Sequence, residues 1–276
     1  MMRSILFVPA DRAELVSKAM ATDAAMVCLD LEDGVAHGAK AAARAALPSA
    51  VAEIVTAGRR AAVRINADLD MIGHDLDALP AALTAIVLPK AGSRHQLAQL
   101  AEALERRFGA GAPEMIAMVE DANGLDALNT DRGAWPARLG ALALGTEDLA
   151  ADLGTAPDAP PVAAALNALA HLAARQGVAL LGYPGSIAEF RDLALFEATA
   201  RAGREAGSVG GFAIHPRQVP VLNTVFGMTE NERAEANRVV EAFETALAEG
   251  QGATQLDGRM IDRPVYLAAR RRLGSA

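Results

Sequence analysis

The sequence predicts an α/β protein: a (β/α)8 barrel with a helical appendage at its C-terminus. Three observations carry this. Eight short runs are apolar almost throughout instead of alternating, which marks strands buried on both faces of a parallel sheet. Stretches rich in Ala, Leu and Arg, with helical spacing, lie between them. The 276 residues also exceed the about 250 that one such barrel typically uses.

The runs are 5–9 (Ile5-Leu6-Phe7-Val8-Pro9), 25–30, 61–66, 85–90, 114–120, 139–145, 178–183 and 211–215. Among the helical stretches are 39–55, 93–108, 162–176 and 189–207. A doubly wound open sheet is the competing arrangement, and it usually carries a glycine-rich turn after its first strand. Here that turn reads Phe7-Val8-Pro9-Ala10-Asp11-Arg12, without glycine. The Pro-rich segment 154–161 reads as a long strand-to-helix connection. Beyond the eighth run and its helix, Thr229-Glu230-Asn231-Glu232 has the spacing of a capping box and predicts a helix to about Glu249. A flexible break at 250–254 follows, then 256–264 and an Arg-rich helix. We therefore divide the chain into a catalytic (β/α)8, or TIM, barrel over 1–226 and a C-terminal helical extension over 227–276.

Composition narrows the function. With 26 basic and 34 acidic side chains the net charge is −8, which argues against a nucleic-acid partner. A lone cysteine, Cys28, excludes an internal disulfide framework and reads as a small core residue. The apolar start meets Asp11-Arg12 too soon for a signal peptide. No uncharged apolar run reaches the roughly 18 residues that suggest a membrane span. The expectation is a cytoplasmic protein with no membrane partner.

In such a barrel the active site lies at the C-terminal ends of the strands. The residues there are Asp30, Leu31, Glu32 and Asp33 after the second run, Arg64 and Asn66 in the third, and Lys90 after the fourth. Glu120 and Asp121 follow the fifth run, Glu147 and Asp148 the sixth, and His215 ends the eighth. Carboxylates so placed repel one another unless a cation lies among them. An oxygen-rich set with no cysteine and little histidine suits a hard divalent cation, most simply Mg2+. Glu120 and Asp148 end neighbouring strands and are the candidate ligands. Their alternative roles are helix capping or pairing with arginine. Arg64 sits in an apolar run and needs an anion. That anion is either a ring carboxylate or the carboxylate of a substrate. The junction Leu144-Gly145-Thr146-Glu147-Asp148 presents free helix-start amides suited to a carboxylate. His215 reads as a hydrogen-bonded structural residue or a site group. His37, His74, His95 and His171 form no zinc pattern.

Taken in order, seven segments resemble the HpcH/HpaI aldolase and citrate lyase β-subunit-like family, near the malyl-CoA and citramalyl-CoA lyases. They are 3–12, Leu29-Asp30-Leu31-Glu32-Asp33-Gly34-Val35, Val63-Arg64-Ile65-Asn66, Leu88-Pro89-Lys90, 142–154, Ala213-Ile214-His215-Pro216, and Gly258-Arg259-Met260-Ile261-Asp262-Arg263-Pro264. The resemblance implies a TIM barrel that binds Mg2+, with Mn2+ as the alternative ion, in a homotrimer or hexamer. It implies Glu120 and Asp148 as metal ligands and Arg64 as the group that binds and polarises substrate oxygens. It also implies Asp262, supplied by a neighbouring subunit, as acid/base. Gly145, Thr146 and Glu147 would hold the substrate, with Asp33, Lys40 and Glu32 in support.

The expected reaction is cleavage of a 3-hydroxyacyl-CoA, such as citramalyl-, malyl- or citryl-CoA, to acetyl-CoA and a 2-oxo acid. The alternatives are a malyl-CoA-type thioesterase or synthase, a CoA-free 2-oxo-acid aldolase, and a citrate lyase β-type subunit that needs partner chains. The chain departs from the family pattern at the fifth strand, with Asp121 after Glu120. It departs again at the seventh, where Pro184 and Ile187 stand in place of polar residues.

Overall fold

The computed structural model describes residues 2–274. Residues 2–226 form one compact unit and residues 227–274 form another. The first alternates strand and helix: β1 (Ser4–Pro9), α1 (Ala13–Met20), β2 (Met26–Asp30), α2 (Lys40–Thr56), β3 (Arg60–Arg64), α3 (Leu69–Ala78), β4 (Ala85–Leu88), α4 (Arg94–Phe108), β5 (Glu114–Val119) and α5 (Ala122–Thr130). It continues with β6 (Leu139–Leu144), α6 (Thr146–Asp152), α7 (Pro160–Gln176), β7 (Ala179–Leu181), α8 (Leu193–Glu205), β8 (Gly211–Ala213) and α9 (Gln218–Val225). The Pro-rich segment expected to link a strand to a helix instead links α6 to α7.

The eight strands pair in parallel in the order β7-β6-β5-β4-β3-β2-β1-β8. Two backbone bonds join the ends of that order: Val209 N to Leu180 O and Gly182 N to Gly210 O, each 2.9 Å. The sheet is a nearly closed barrel, as the uninterrupted apolar runs predict. Side chains of a strand alternate between faces. One set, including Ile5, Met26, Cys28, Ala62, Val87, Ile116, Met118, Ala143, Leu181 and Phe212, fills the barrel. The other set, including Val8, Leu29, Val63, Leu88, Val119 and Leu144, packs against Val16, Leu47, Ile54, Leu104, Leu166 and Phe196 of the helices. Near-complete burial of both faces removes the polar alternation that a half-exposed strand would show.

The second unit comprises α10 (Glu230–Ala248), β9 (Ala253–Leu256), β10 (Arg259–Asp262) and α11 (Arg263–Leu273). The expected capping box is present. Glu232 N donates to Thr229 Oγ1 at 3.1 Å, and Thr229 N donates to Glu232 Oε2 at 2.9 Å. The break expected at 250–254 runs into a hairpin instead. Its two-residue turn is Asp257-Gly258, with φ +50° and +79°, the left-handed pair that favours Asp-Gly and matches strand twist. Val239, Phe243, Ile261 and Ala269 form this unit's own core, with Tyr266 stacked on Phe243 at 4.7 Å.

Candidate active site

Continuing the inward alternation of β2, β3 and β5 by one step, from Cys28, Ala62 and Met118, reaches Asp30, Arg64 and Glu120. The period that fills the barrel with apolar atoms thus ends on three charged residues. Asp30 and Arg64 are direct partners in the β2–β3 register. They meet as a fork: Arg64 Nε to Asp30 Oδ1 and Nη2 to Oδ2, both 2.7 Å. The Asp30 carboxylate, 2% exposed, also accepts the amides of Glu32 (2.9 Å) and Gly34 (2.8 Å). Arg64 Nη1 lies 2.9 Å from Glu32 Oε2 and 3.6 Å from Asp33 Oδ2, and the guanidinium covers the Phe7 ring at 4.8 Å.

Ring carboxylates therefore supply the anion that Arg64 needs. Burial alone would lower its pKa, but the bond to Asp30 and the charges of Asp30 and Glu32 raise it above its usual value. A guanidinium has five donors; Asp30 and Glu32 take three, Asp33 lies beside Nη1, and the residue lines the cavity. Burial raises the Glu32 carboxyl as well, although Arg64 opposes the shift. Lys90 Nζ reaches Glu32 Oε1 at 3.0 Å, and that bond raises the Lys90 ammonium.

The loop after β2 is held from behind. Lys40 does not pair with Asp33. Its three donors go to Leu31 O (2.8 Å), Glu32 O (2.9 Å) and Asn66 Oδ1 (2.8 Å). Asn66 in turn donates its backbone N and its Nδ2 to Asp75 Oδ2, both at 2.7 Å. Asp75 Oδ1 receives Arg44 Nε at 2.6 Å. Asp75 is fully buried. Sequence reasoning missed it, yet it sits on the apolar stripe Ile72, Leu76, Leu79, where a lone carboxylate signals an internal ion pair.

Glu120, 4% exposed, follows β5. Its Oε2 accepts the Lys90 amide at 2.7 Å, and Lys90 takes φ +51° at this point, an uncommon conformation for a residue with a side chain. Burial, with the nearby Glu32 and Asp148 charges, pushes the Glu120 carboxyl up to about 7, while the Lys90 amide and Arg64 oppose the shift. Gly145, at the end of β6, gives this side chain room: a Cβ there would lie 2.6 Å from Glu120 Oε1.

Asp148 is exposed in the first turn of α6 and, among the described residues, has no hydrogen-bond or ion-pair partner. The first α6 amide with a backbone acceptor is that of Leu149, to Gly145 O at 3.1 Å, which leaves the preceding amides free for other acceptors. Thr146 Oγ1 donates to Tyr183 O (3.0 Å), and Glu147 Oε1 accepts from Ser186 Oγ (2.5 Å). The Tyr183 hydroxyl donates to Phe212 O at 2.6 Å; burial raises its pKa.

A cavity of about 500 Å³ opens at the C-terminal strand ends, in the size range of a small-molecule site. Asp30, Asp33, Arg64, Glu120, Gly145, Thr146, Glu147 and Asp148 lie in its wall. Lys40 stands behind the β2 loop, outside the lining. Phe7, Met118, Leu144, Ile187, Phe212 and Ile214 supply an apolar side. Among the described residues no three His, Cys, Asp or Glu side chains form a metal-ligand cluster. Glu120 and Asp148 together still fit Mg2+, which uses one or two carboxylates and fills the rest of its octahedron with water or substrate. A desolvated carboxylate beside an unpartnered one supplies the hard oxygen donors such an ion requires.

His215 serves as a structural group: Nδ1 accepts the Arg217 amide (3.1 Å), and the ring stacks on Phe190 at 4.8 Å. Asp262 belongs to the second unit, where it caps α11 by accepting the Val265 amide on Oδ1 at 3.2 Å. Among the described residues, no helix is long and apolar enough to cross a membrane.

The family model described as HpcH/HpaI aldolase/citrate lyase matches residues 3–216. The chain is 34% identical to a (3S)-malyl-CoA thioesterase of Cereibacter sphaeroides, over 99% of this chain and 94% of the relative. It is 32% identical to an L-malyl-CoA/beta-methylmalyl-CoA lyase of the same species, over 94% and 90%. The crystal structure of the protein CitE from Mycobacterium tuberculosis, in complex with magnesium, acetoacetate and coenzyme A, superposes with a TM-score of 0.71. The identity is 30%, over 99% of this chain and 97% of that one.

Proposed function

The chain belongs to the HpcH/HpaI aldolase/citrate lyase family, and from that premise we propose that it is a divalent-metal-dependent carbon–carbon lyase. Its substrate would be a 3-hydroxyacyl-CoA of the citramalyl, malyl or citryl type, and its products acetyl-CoA and a 2-oxo acid. One observation carries the reading: a buried, destabilised carboxylate, Glu120, and a partnerless one, Asp148, face the same cavity as Arg64. The similar CitE structure was solved with magnesium, an oxo acid and coenzyme A, the ligand set this arrangement suits.

Glu120 and Asp148 would hold Mg2+. When bound, the ion supplies Lewis-acid stabilisation of the substrate oxygen whose charge changes on cleavage. Arg64, which lines the cavity, binds oxygens of the oxo-acid half. Asp30 and Glu32 hold the guanidinium in place, so little reorganisation is needed as charge develops. The amides of Thr146 and Glu147 after Gly145 orient the carboxylate end. Lys40, with Glu32 and Asp33, maintains the β2 loop. As the carbon–carbon bond breaks, the 3-hydroxyl becomes the oxo group and gives up its proton, and the acyl-CoA carbon released must gain one, so no net proton is consumed. We assign that transfer to Asp262 of a neighbouring chain in a homotrimer or hexamer, an acid/base role that gives the C-terminal unit a use.

The similarity to a malyl-CoA thioesterase favours a second reading, hydrolysis of the thioester. Neither identity, 34% or 32%, separates the two, but the products do. The purified chain with Mg2+ is offered malyl-, citramalyl- and citryl-CoA, and products are resolved by chromatography. The lyase reading expects acetyl-CoA and oxo acid in equal amounts. Free CoA with intact hydroxy acid would replace it with hydrolysis.

A further inference from the structure

We propose that Gln218 is a positioning residue that sets acyl-side selectivity by locking together two loops that each contribute an isoleucine to the apolar wall of the cavity. Gln218 opens α9 and is fully buried. Its Oε1 accepts the amides of Ile214 and His215, each at 3.0 Å. Its Nε2 donates to Ile187 O at 2.7 Å and Glu189 O at 3.2 Å. A primary amide has two donors and two acceptor lone pairs, and all four are used. One half of the side chain therefore grips the loop after β8 and the other half grips the loop after β7.

Both loops contribute to the wall: Ile187 from one and Ile214 from the other line the cavity. Ile214 is 45% exposed, so its side chain is accessible to a ligand in the cavity. The charged side of the cavity, with Arg64 and Glu120, suits the oxygen-rich half of a substrate. The isoleucine side is left for an apolar acyl group. The stack of Phe190 on His215 also spans the two loops, but it fixes neither carbonyl nor amide. The polar registration therefore comes from Gln218, and a shift of either isoleucine changes the space left for a methyl group.

The selectivity consequence rests on the CoA-thioester reading above; the locking itself rests on geometry alone. The test uses the full-length chain with Mg2+ and the probes acetyl-CoA, propionyl-CoA and pyruvate, each titrated by calorimetry. Gln218→Leu removes both grips. Gln218→Glu keeps an acceptor for the Ile214 and His215 amides but has no donor for Ile187 and Glu189. Hydrogen exchange should therefore accelerate in both loops of Q218L, and in Q218E only in the loop after β7. The acetyl-to-propionyl affinity ratio should change about tenfold, the scale at which a hydrophobic pocket reads one methylene, while pyruvate affinity stays within about twofold. An unchanged ratio in variants whose loops exchange faster would overturn the proposal. So would loops that do not loosen in Q218L, a pyruvate affinity that falls as far as the thioester affinity, or a wild-type chain that binds neither thioester. A wild-type chain that binds both thioesters but cleaves none of malyl-, citramalyl- and citryl-CoA would count against the lyase reading and leave the selectivity result to stand on its own.

Discussion

Glu120 occupies the space that a side chain on Gly145 would need: a Cβ there would lie 2.6 Å from Glu120 Oε1 and closer still to its Cγ. The carboxylate at the end of β5 therefore depends on a missing side chain at the end of β6. Replacing Gly145 by Ala should push Glu120 from its place. We expect Mn2+ affinity, read by electron paramagnetic resonance, to fall about 10- to 100-fold, as when a residue supporting a metal ligand is lost. Overpacking should cost roughly 1–3 kcal/mol of stability. Wild-type affinity in G145A would mean that Glu120 is not a ligand.

Glu120 should couple metal binding to pH. Its carboxyl is pushed from an ordinary 4.5 up to about 7. Between those values the folded, metal-free chain keeps a proton that the unfolded chain has released. The stability contributed by this group therefore falls as pH rises through that window. Mg2+ requires the carboxylate and should displace up to about one proton below pH 7. Apparent Mg2+ affinity should rise from pH 6 to 8, and heats of binding in buffers of different ionisation enthalpy should report the proton. Glu120→Gln should abolish the proton release; release that persists in E120Q would move the titration to another group.

The proposed acid/base role of Asp262 is separable from its role as a helix cap. As the cap of α11 it accepts the Val265 amide. Asn caps a helix about as well as Asp, whereas Ala costs roughly 0.5–2 kcal/mol. Asp262→Asn should therefore keep the melting temperature and oxo-acid binding but lose turnover, and Asp262→Ala should lose stability as well. Full turnover in D262N would leave Asp262 as a cap alone.

The ion pair behind the β2 loop is a stability element. Asp75→Ala strands the largely buried Arg44 guanidinium and the Asn66 amides. Removing one partner of such a pair typically costs about 3–5 kcal/mol. Urea denaturation should show a loss of that size. A loss under about 1 kcal/mol would mean that water replaces the carboxylate.

Much of this arrangement was legible in the sequence. The eight apolar runs became the eight strands because near-complete burial of both faces leaves no polar positions to blur them. The charged residues at their ends fell on the inner face by the same period of two. The partner of Arg64 was harder to read. Asp30 stood among the candidates, but only the β2–β3 register sets the two side by side. The supporting role of Lys40 was legible but its partners were not; its ammonium satisfies two carbonyls of a loop whose course depends on the fold. Asp75 and Gln218 went unremarked because polar residues on an apolar helix stripe reveal their partners only once distant segments meet. The hairpin at 253–262 escaped notice although Asp257-Gly258 signals its turn. Its strands are short, and only Ile261 among their residues is deeply buried, so apolar periodicity is faint there.

The decisive comparison is metal-stripped wild-type chain against Asp148→Ala and Glu120→Ala, each assayed for cleavage of malyl- and citramalyl-CoA across a Mg2+ titration. Wild type should be inactive without metal and should release acyl-CoA and oxo acid in equal amounts when Mg2+ is restored. Both variants should require far more Mg2+ or show turnover reduced at least about 100-fold, the scale of a lost electrostatic contact to the transition state. Cleavage by wild type in excess chelator, or an unshifted Mg2+ dependence with full turnover in both variants, would contradict a metal held by Glu120 and Asp148.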